Sequence, residues 1–188
     1  TVALRGPGAA AAAPAARGDG VVVVPAGWPG VDGVDLLGGF VEPPAGIPEA
    51  DASSYASLRI RSGVPLMGAE LTDATIPAEA GQWVIDASVS FTKGCFTGQE
   101  LVARIDSRGG HVARHLRGLV SGAGDVPPVG AAVVVDGADV GTVTSAAVGT
   151  GRPVALGYVR RGVTPPAAAE VRAGDAALPV TVVELPIG

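Results

Sequence analysis

The chain has 188 residues, 47% of them hydrophobic and 16% charged, a balance that suits a soluble globular protein with one good core or two modest ones and excludes a chain disordered throughout. Eighteen acidic side chains against 13 basic ones give a net charge of −5, which argues against a nucleic-acid binder relying on a basic surface, although local basic patches remain compatible with it. One cysteine cannot form an intrachain disulfide, no cysteine–histidine cluster supplies a closed zinc site, and no apolar run is long enough for a membrane-spanning helix, so a reducing cytoplasm is the expected setting.

Residues 1–4 read as a strand running into the turn Gly6-Pro7-Gly8, and the alanine-rich stretch 9–16, interrupted by Pro14, as a short helix or loop rather than a signal peptide. Val21 to Val24 form an uninterrupted β-branched run between Gly20 and Pro25, the pattern of a buried strand. Gly30 to Gly33 turn into a further strand at 34–37, and the Pro- and Gly-rich piece 42–48 is loop. Apolar spacing predicts a helix over 50–61, capped by Asp51 or Ser53 and stopped by Gly63-Val64-Pro65, with Arg59 near its C-terminal end. Residues 83–85 and 89–91 read as strand pieces, and 99–107 as a helix that Gly109-Gly110 ends. From 116 onward, short β runs at 116–120, 132–135, 140–147, 154–159, 169–172 and 177–184 alternate with Gly, Pro and Asp, the signature of a small barrel or sandwich.

The candidate chemistry gathers at Lys93-Gly94-Cys95-Phe96-Thr97-Gly98-Gln99-Glu100, just ahead of the predicted helix. Thr97 and Glu100 have the spacing of a capping box, in which the hydroxyl accepts from the Glu100 N–H and the carboxylate returns to the Thr97 N–H. Cys95 then lies two residues before the N-cap. The positive end of the helix and the charge of Lys93 would favour its thiolate, and a reactive thiol is one reading. A buried, inert apolar thiol is the other.

The same string, with Ala103 and Arg104 following, resembles the signature of the YgfZ family, folate-binding proteins that support iron–sulfur enzymes. Leu58 to Leu71 (LRIRSGVPLMGAEL) is similar to a conserved run of the related glycine-cleavage T-protein, an aminomethyltransferase that uses tetrahydrofolate. Cys95 and Gln99 favour the YgfZ side, because the T-protein has other residues there. Val129 to Val133 and Gly141 to Ser145 resemble the C-terminal barrel of both families. The resemblance implies an α+β chain: part of a T-protein-like folate-binding central domain over 1–112, then a small C-terminal β-barrel over 113–188. It also implies an N-terminal region completing the folate channel, to which this chain shows no counterpart; a naturally short two-domain protein is the alternative.

Carried over residue by residue, the resemblance makes Asp35, in Gly30-Val31-Asp32-Gly33-Val34-Asp35-Leu36, the carboxylate that would hold a pterin, since the pterin's N–H pair calls for one acid. A solvent-facing turn acid is the plain alternative. Val31 replaces a family glutamate, and Tyr55 replaces a ligand arginine, leaving a side chain that can stack or donate one hydrogen bond. Arg59 matches a family arginine, as ligand contact or as an internal salt bridge, and Gln99 and Glu100 are placed near the ligand with it. Cys95 becomes the functional thiol, with Lys93 beside it. His111 and His115 lack an acid or cysteine at catalytic spacing and read as surface or packing residues, and Tyr158 and Trp28 as core or pocket walls. The implied function is that of a folate-binding accessory protein for assembly or repair of iron–sulfur enzymes. Its cofactor would be tetrahydrofolate or another reduced folate, and its partners iron–sulfur proteins or their assembly machinery, with neither nucleic acid nor membrane. The alternatives are a tetrahydrofolate-dependent aminomethyltransferase and a partner-binding domain without small-molecule chemistry.

Overall fold

In the computed structural model, which describes residues 1–122, 124–149 and 151–187, the chain forms two compact units, Thr1–Asp51 and Ala52–Gly188. Residue 112, where the sequence suggests a division, lies inside the second unit, just ahead of its first barrel strand.

The first unit is a three-stranded antiparallel sheet in the order β1 (Val2–Arg5), β3 (Gly33–Leu37), β2 (Val22–Pro25). A short helix α1 (Ala9–Ala12) continues into a 3-10 turn at Ala13–Ala15, where Pro14 fits because the first turn of a helix needs no donor from it. Leu4, Ala9, Ala13, Val34 and Leu36 make the core, so β3 sends Val34 and Leu36 inward and Asp35 to the other face. The run at 21–24 departs from the expected buried strand. Val22, Val23 and Val24 are exposed: β2 pairs with β3 at one edge of the sheet, and none of the three joins the core around Leu4, Val34 and Leu36. Branched side chains favour the extended backbone whether or not anything covers them.

The second unit opens with α2 (Ala52–Arg61), which lays Ile60 against Leu116, Ala147, Val154, Leu156 and Tyr158. A tight turn through 66–71 and a 3-10 turn at Pro77–Ala80 follow. The strands expected at 83–85 and 89–91 are absent: Gln82–Ser88 is helix α3, and 89–91 lie outside any regular element. Gly81, at φ 112°, starts that helix, Gln82 hydrogen-bonds Asp86 one turn on at 2.8 Å, and Val84 and Ile85 share its buried face. A three-residue apolar run does not separate helix from strand, and here tertiary burial chose the helix. Helix α4 spans Gln99–Ser107 and closes where the Gly110 N–H reaches the Ile105 carbonyl.

Six antiparallel strands complete the unit as a closed barrel: β4 (Arg114–Ser121), β7 (Val154–Arg160), β6 (Ala138–Ala147), β5 (Ala132–Val135), β8 (Ala167–Ala173) and β9 (Ala176–Val183), which returns to β4. Its interior is filled by Leu119, Val133, Val143, Ala155, Val159, Val171 and Val182, mid-sized residues that suit a narrow barrel. Closure consumes every edge, which resolves the choice between barrel and sandwich. Gly141 pairs with Val159 where β6 runs closest to β7; a Cβ there would fall against the Tyr158 carbonyl oxygen. Because backbone, not a flexible side chain, stands in the way, Gly141→Ala is expected to lose about 1–3 kcal/mol in urea denaturation. Unchanged stability would mean that the β6–β7 approach is looser than this.

Candidate functional site

The motif segment ahead of α4 lies open. Cys95 is exposed and free of any disulfide, which removes the alternative of a buried, inert thiol. Lys93 places its ammonium 5.1 Å from the centre of the Phe96 ring, and its backbone N–H donates to the Ser90 hydroxyl. The expected capping box does not form. Gly98, at φ 84°, occupies the N-cap without a side-chain hydrogen bond, and the helix begins one residue later than Thr97 would require. The Phe96 N–H instead donates to Gln99 Oε1 at 3.1 Å, so the glutamine takes the place assigned to Thr97 and Glu100. Glycine wins because the chain enters the helix through the left-handed region, where a side chain is strained. Phe96, Gly98, Gln99, Glu100, Leu101 and Arg104 line a cleft of about 580 Å³, and α4 buries none of its side chains.

Asp35 lies in the first unit. Its Oδ1 accepts from Arg5 Nη2 at 2.7 Å, and its side chain remains 31% exposed while that of Arg5 is 8% exposed. Arg5 also donates to the Leu4 and Val34 carbonyls and stacks 4.4 Å from the centre of the Trp28 ring. The aspartate is therefore held from behind by a fixed cation. Arg5 was not among the expected residues, and a single arginine at the end of a strand gives no sequence signal for such a role.

Arg59 takes the internal role. Its Nη1 donates to the Val64 carbonyl at 2.7 Å and to Glu70 Oε2 at 3.2 Å. Glu70, with no exposed surface, is the centre of this region: the Leu66 N–H donates to Oε2, and the Thr144 and Ser145 hydroxyls donate to Oε1. The Tyr158 hydroxyl donates to the Glu70 carbonyl at 3.0 Å. Burial, with the nearby Glu79 carboxylate, pushes the Tyr158 hydroxyl up to about 12, so it stays a phenol and a donor. Tyr55, one turn before Arg59 on α2, stays partly exposed. His111 is exposed; His115, on β4, has its pKa lowered by burial and then by Arg117. Among the described residues no cluster of three or more His, Cys, Asp or Glu side chains could hold a metal ion, and no helix is long and apolar enough to cross a membrane.

The fold, with its closed six-stranded barrel, is shared with known proteins. The structure of aminomethyltransferase T of the glycine cleavage system from Bartonella henselae matches 90% of this chain and 50% of that one, with a TM-score of 0.61 and 21% identity, which establishes the fold. The aminomethyltransferase of Streptomyces avermitilis is 33% identical over 172 residues, 81% of this chain and 43% of that protein. The tRNA-modifying protein YgfZ of Edwardsiella ictaluri is 40% identical over 60 residues, 32% of this chain and 18% of that protein. The chain thus spans less than half the length of these curated relatives and belongs to the T-protein-like and YgfZ-like class. Within it, residues 114–187 match the glycine cleavage T-protein C-terminal barrel domain.

Proposed function

We propose that this chain serves a folate-binding protein that supports assembly or repair of iron–sulfur enzymes in the cytoplasm, with Cys95 as its working thiol. The observation that carries this reading is the exposed Cys95, free of any disulfide, in an intact KGCFTGQE segment whose Phe96, Gly98, Gln99 and Glu100 line a cleft. A reduced folate supplies a carrier for one-carbon groups. The residues present fit its pterin: Asp35 offers a carboxylate that Arg5 holds through one oxygen, leaving acceptor capacity for the pterin's N–H pair. Arg59 is engaged within the second unit, where it secures Glu70. One thiolate does not hold an iron–sulfur cluster, which usually takes four cysteine ligands, so the roles open to Cys95 are transient ligation shared with a client, a mixed disulfide with a client, or chemistry on a one-carbon adduct of the folate.

Calorimetric titration with a reduced folate, on the protein at its full encoded length, tests the ligand. Asp35→Asn keeps the size of the side chain but turns part of an anionic acceptor into an amide donor, and affinity is expected to fall at least tenfold, about 1.4 kcal/mol. Equal affinities would take Asp35 out of the site, and no binding by the unaltered protein would remove folate from the function. A second reading, aminomethyl transfer, is favoured by the identity to the Streptomyces aminomethyltransferase, which extends over most of the chain. A glycine-cleavage assay on the same protein separates the two, since a folate accessory factor binds folate without turnover there.

A further inference from the structure

A second cleft, of about 570 Å³, opens on the outer face of the barrel, with β4, β6 and β7 as its floor and the 69–75 turn as its wall. Its size is that of a small-ligand site. We propose that it is an anion site, which takes a small ligand through a phosphoryl or carboxylate group held by Arg160 and Arg114.

The antiparallel register of β4 and β7 sets Arg114 directly opposite Arg160, and both line the cleft. Like charges facing each other across a strand pair oppose folding unless something negative lies between them. Arg114 has its own compensation: Glu79 Oε2 at 3.0 Å and the Tyr158 ring, whose centre is 4.5 Å from the guanidinium carbon. Arg160 has none. It is exposed and makes no ion pair or side-chain hydrogen bond among the described residues.

The carboxylates nearby do not fill that place. Glu70 is fully buried, and its oxygens are taken by Arg59, the Leu66 N–H, Thr144 and Ser145. Asp139 lines the rim without pairing to Arg160. Exposed Thr142, which pairs with Tyr158 in the β6–β7 register, lines the same cleft and adds a neutral hydroxyl donor to it. A guanidinium fork with free donors, a second guanidinium stacked in place and a hydroxyl on the next strand match the oxygens of a phosphate or carboxylate. In a chain of net charge −5, this local arrangement is not a by-product of general basicity.

The test is an NMR amide-shift titration of the unaltered chain, Arg160→Gln and Thr142→Val. Inorganic phosphate is the probe in one arm and malonate in the other, with ionic strength held by chloride. Saturable shifts at the amides of Thr72, Thr142 and Tyr158 are expected with one probe or both, and the tighter arm identifies phosphoryl or carboxylate as the natural group. Arg160 is exposed, so Arg160→Gln should keep the melting temperature while its dissociation constant rises at least tenfold; Thr142→Val should give a smaller rise. Shifts that chloride alone reproduces, or equal dissociation constants in the unaltered chain and Arg160→Gln, would overturn the proposal.

Discussion

Glu70→Ala is expected to cost about 3–5 kcal/mol in urea denaturation. The carboxylate has no exposed surface and serves Arg59 and the Leu66 N–H through one oxygen and the Thr144 and Ser145 hydroxyls through the other. Alanine strips the partner from a guanidinium whose side chain is itself 9% exposed, and a charge left buried and uncompensated accounts for most of the cost. The pair is not thereby a large net source of stability, because bringing both charges out of water offsets much of their attraction. A double variant, Arg59→Met with Glu70→Ala, should therefore be destabilised by clearly less than the two single losses added together. Strict additivity, or a loss below about 1 kcal/mol for Glu70→Ala alone, would show that the turn through 66–71 is tied to the barrel by packing instead.

The hub around Glu70 also shows where the sequence stopped being readable. The six barrel strands could be placed from their spacing because each is a short apolar run between turn residues, but spacing left barrel and sandwich open, since closure depends on the register between strands. Helix α2 followed from its apolar spacing and α4 from its glycine stop, whereas the start signal at Thr97 did not form and the Ser53 hydroxyl donates to the Val148 carbonyl. Trp83-Val84-Ile85 failed, because a run that short carries no period, and it was its burial as part of α3 that decided. The Val21 to Val24 run failed for the complementary reason: composition reports a preference for extended backbone, while burial depends on what packs against the faces of the strand. Glu70 was visible only as one letter of a resembling string. That its side chain meets Thr144 and Ser145, more than 70 positions along the chain, depends on the folded barrel, and local pattern does not hold it. Arg160 was hidden likewise, since only strand register sets it against Arg114.

Cys95→Ser is expected to abolish the ability of the full-length protein to restore iron–sulfur enzyme activity in cells that lack it, with no change in melting temperature. The two halves of this expectation rest on separate observations. Stability is spared because Cys95 is exposed and free of any disulfide, so the change from sulfur to oxygen disturbs no core. Function is lost because serine matches the shape of cysteine but does not ionise near neutral pH, and any role in metal ligation, thiol exchange or attack on an adduct needs the thiolate. With Gly98 at the N-cap and Thr97 uninvolved, the accessibility of the thiol comes from the open segment and not from a capped helix end; Thr97→Ala has no capping bond to remove and should leave both stability and alkylation rate unchanged. As the chain's single cysteine, Cys95 should take up one equivalent of iodoacetamide in the native protein, and that alkylated protein should fail in the same assay as Cys95→Ser. Full restoration of enzyme activity by Cys95→Ser would show that the motif serves through its backbone and its Lys93, Gln99 and Glu100 side chains. The folate titration with Asp35→Asn would still stand by itself, because Asp35 belongs to the other compact unit and its carboxylate is fixed by Arg5 with no involvement of the thiol.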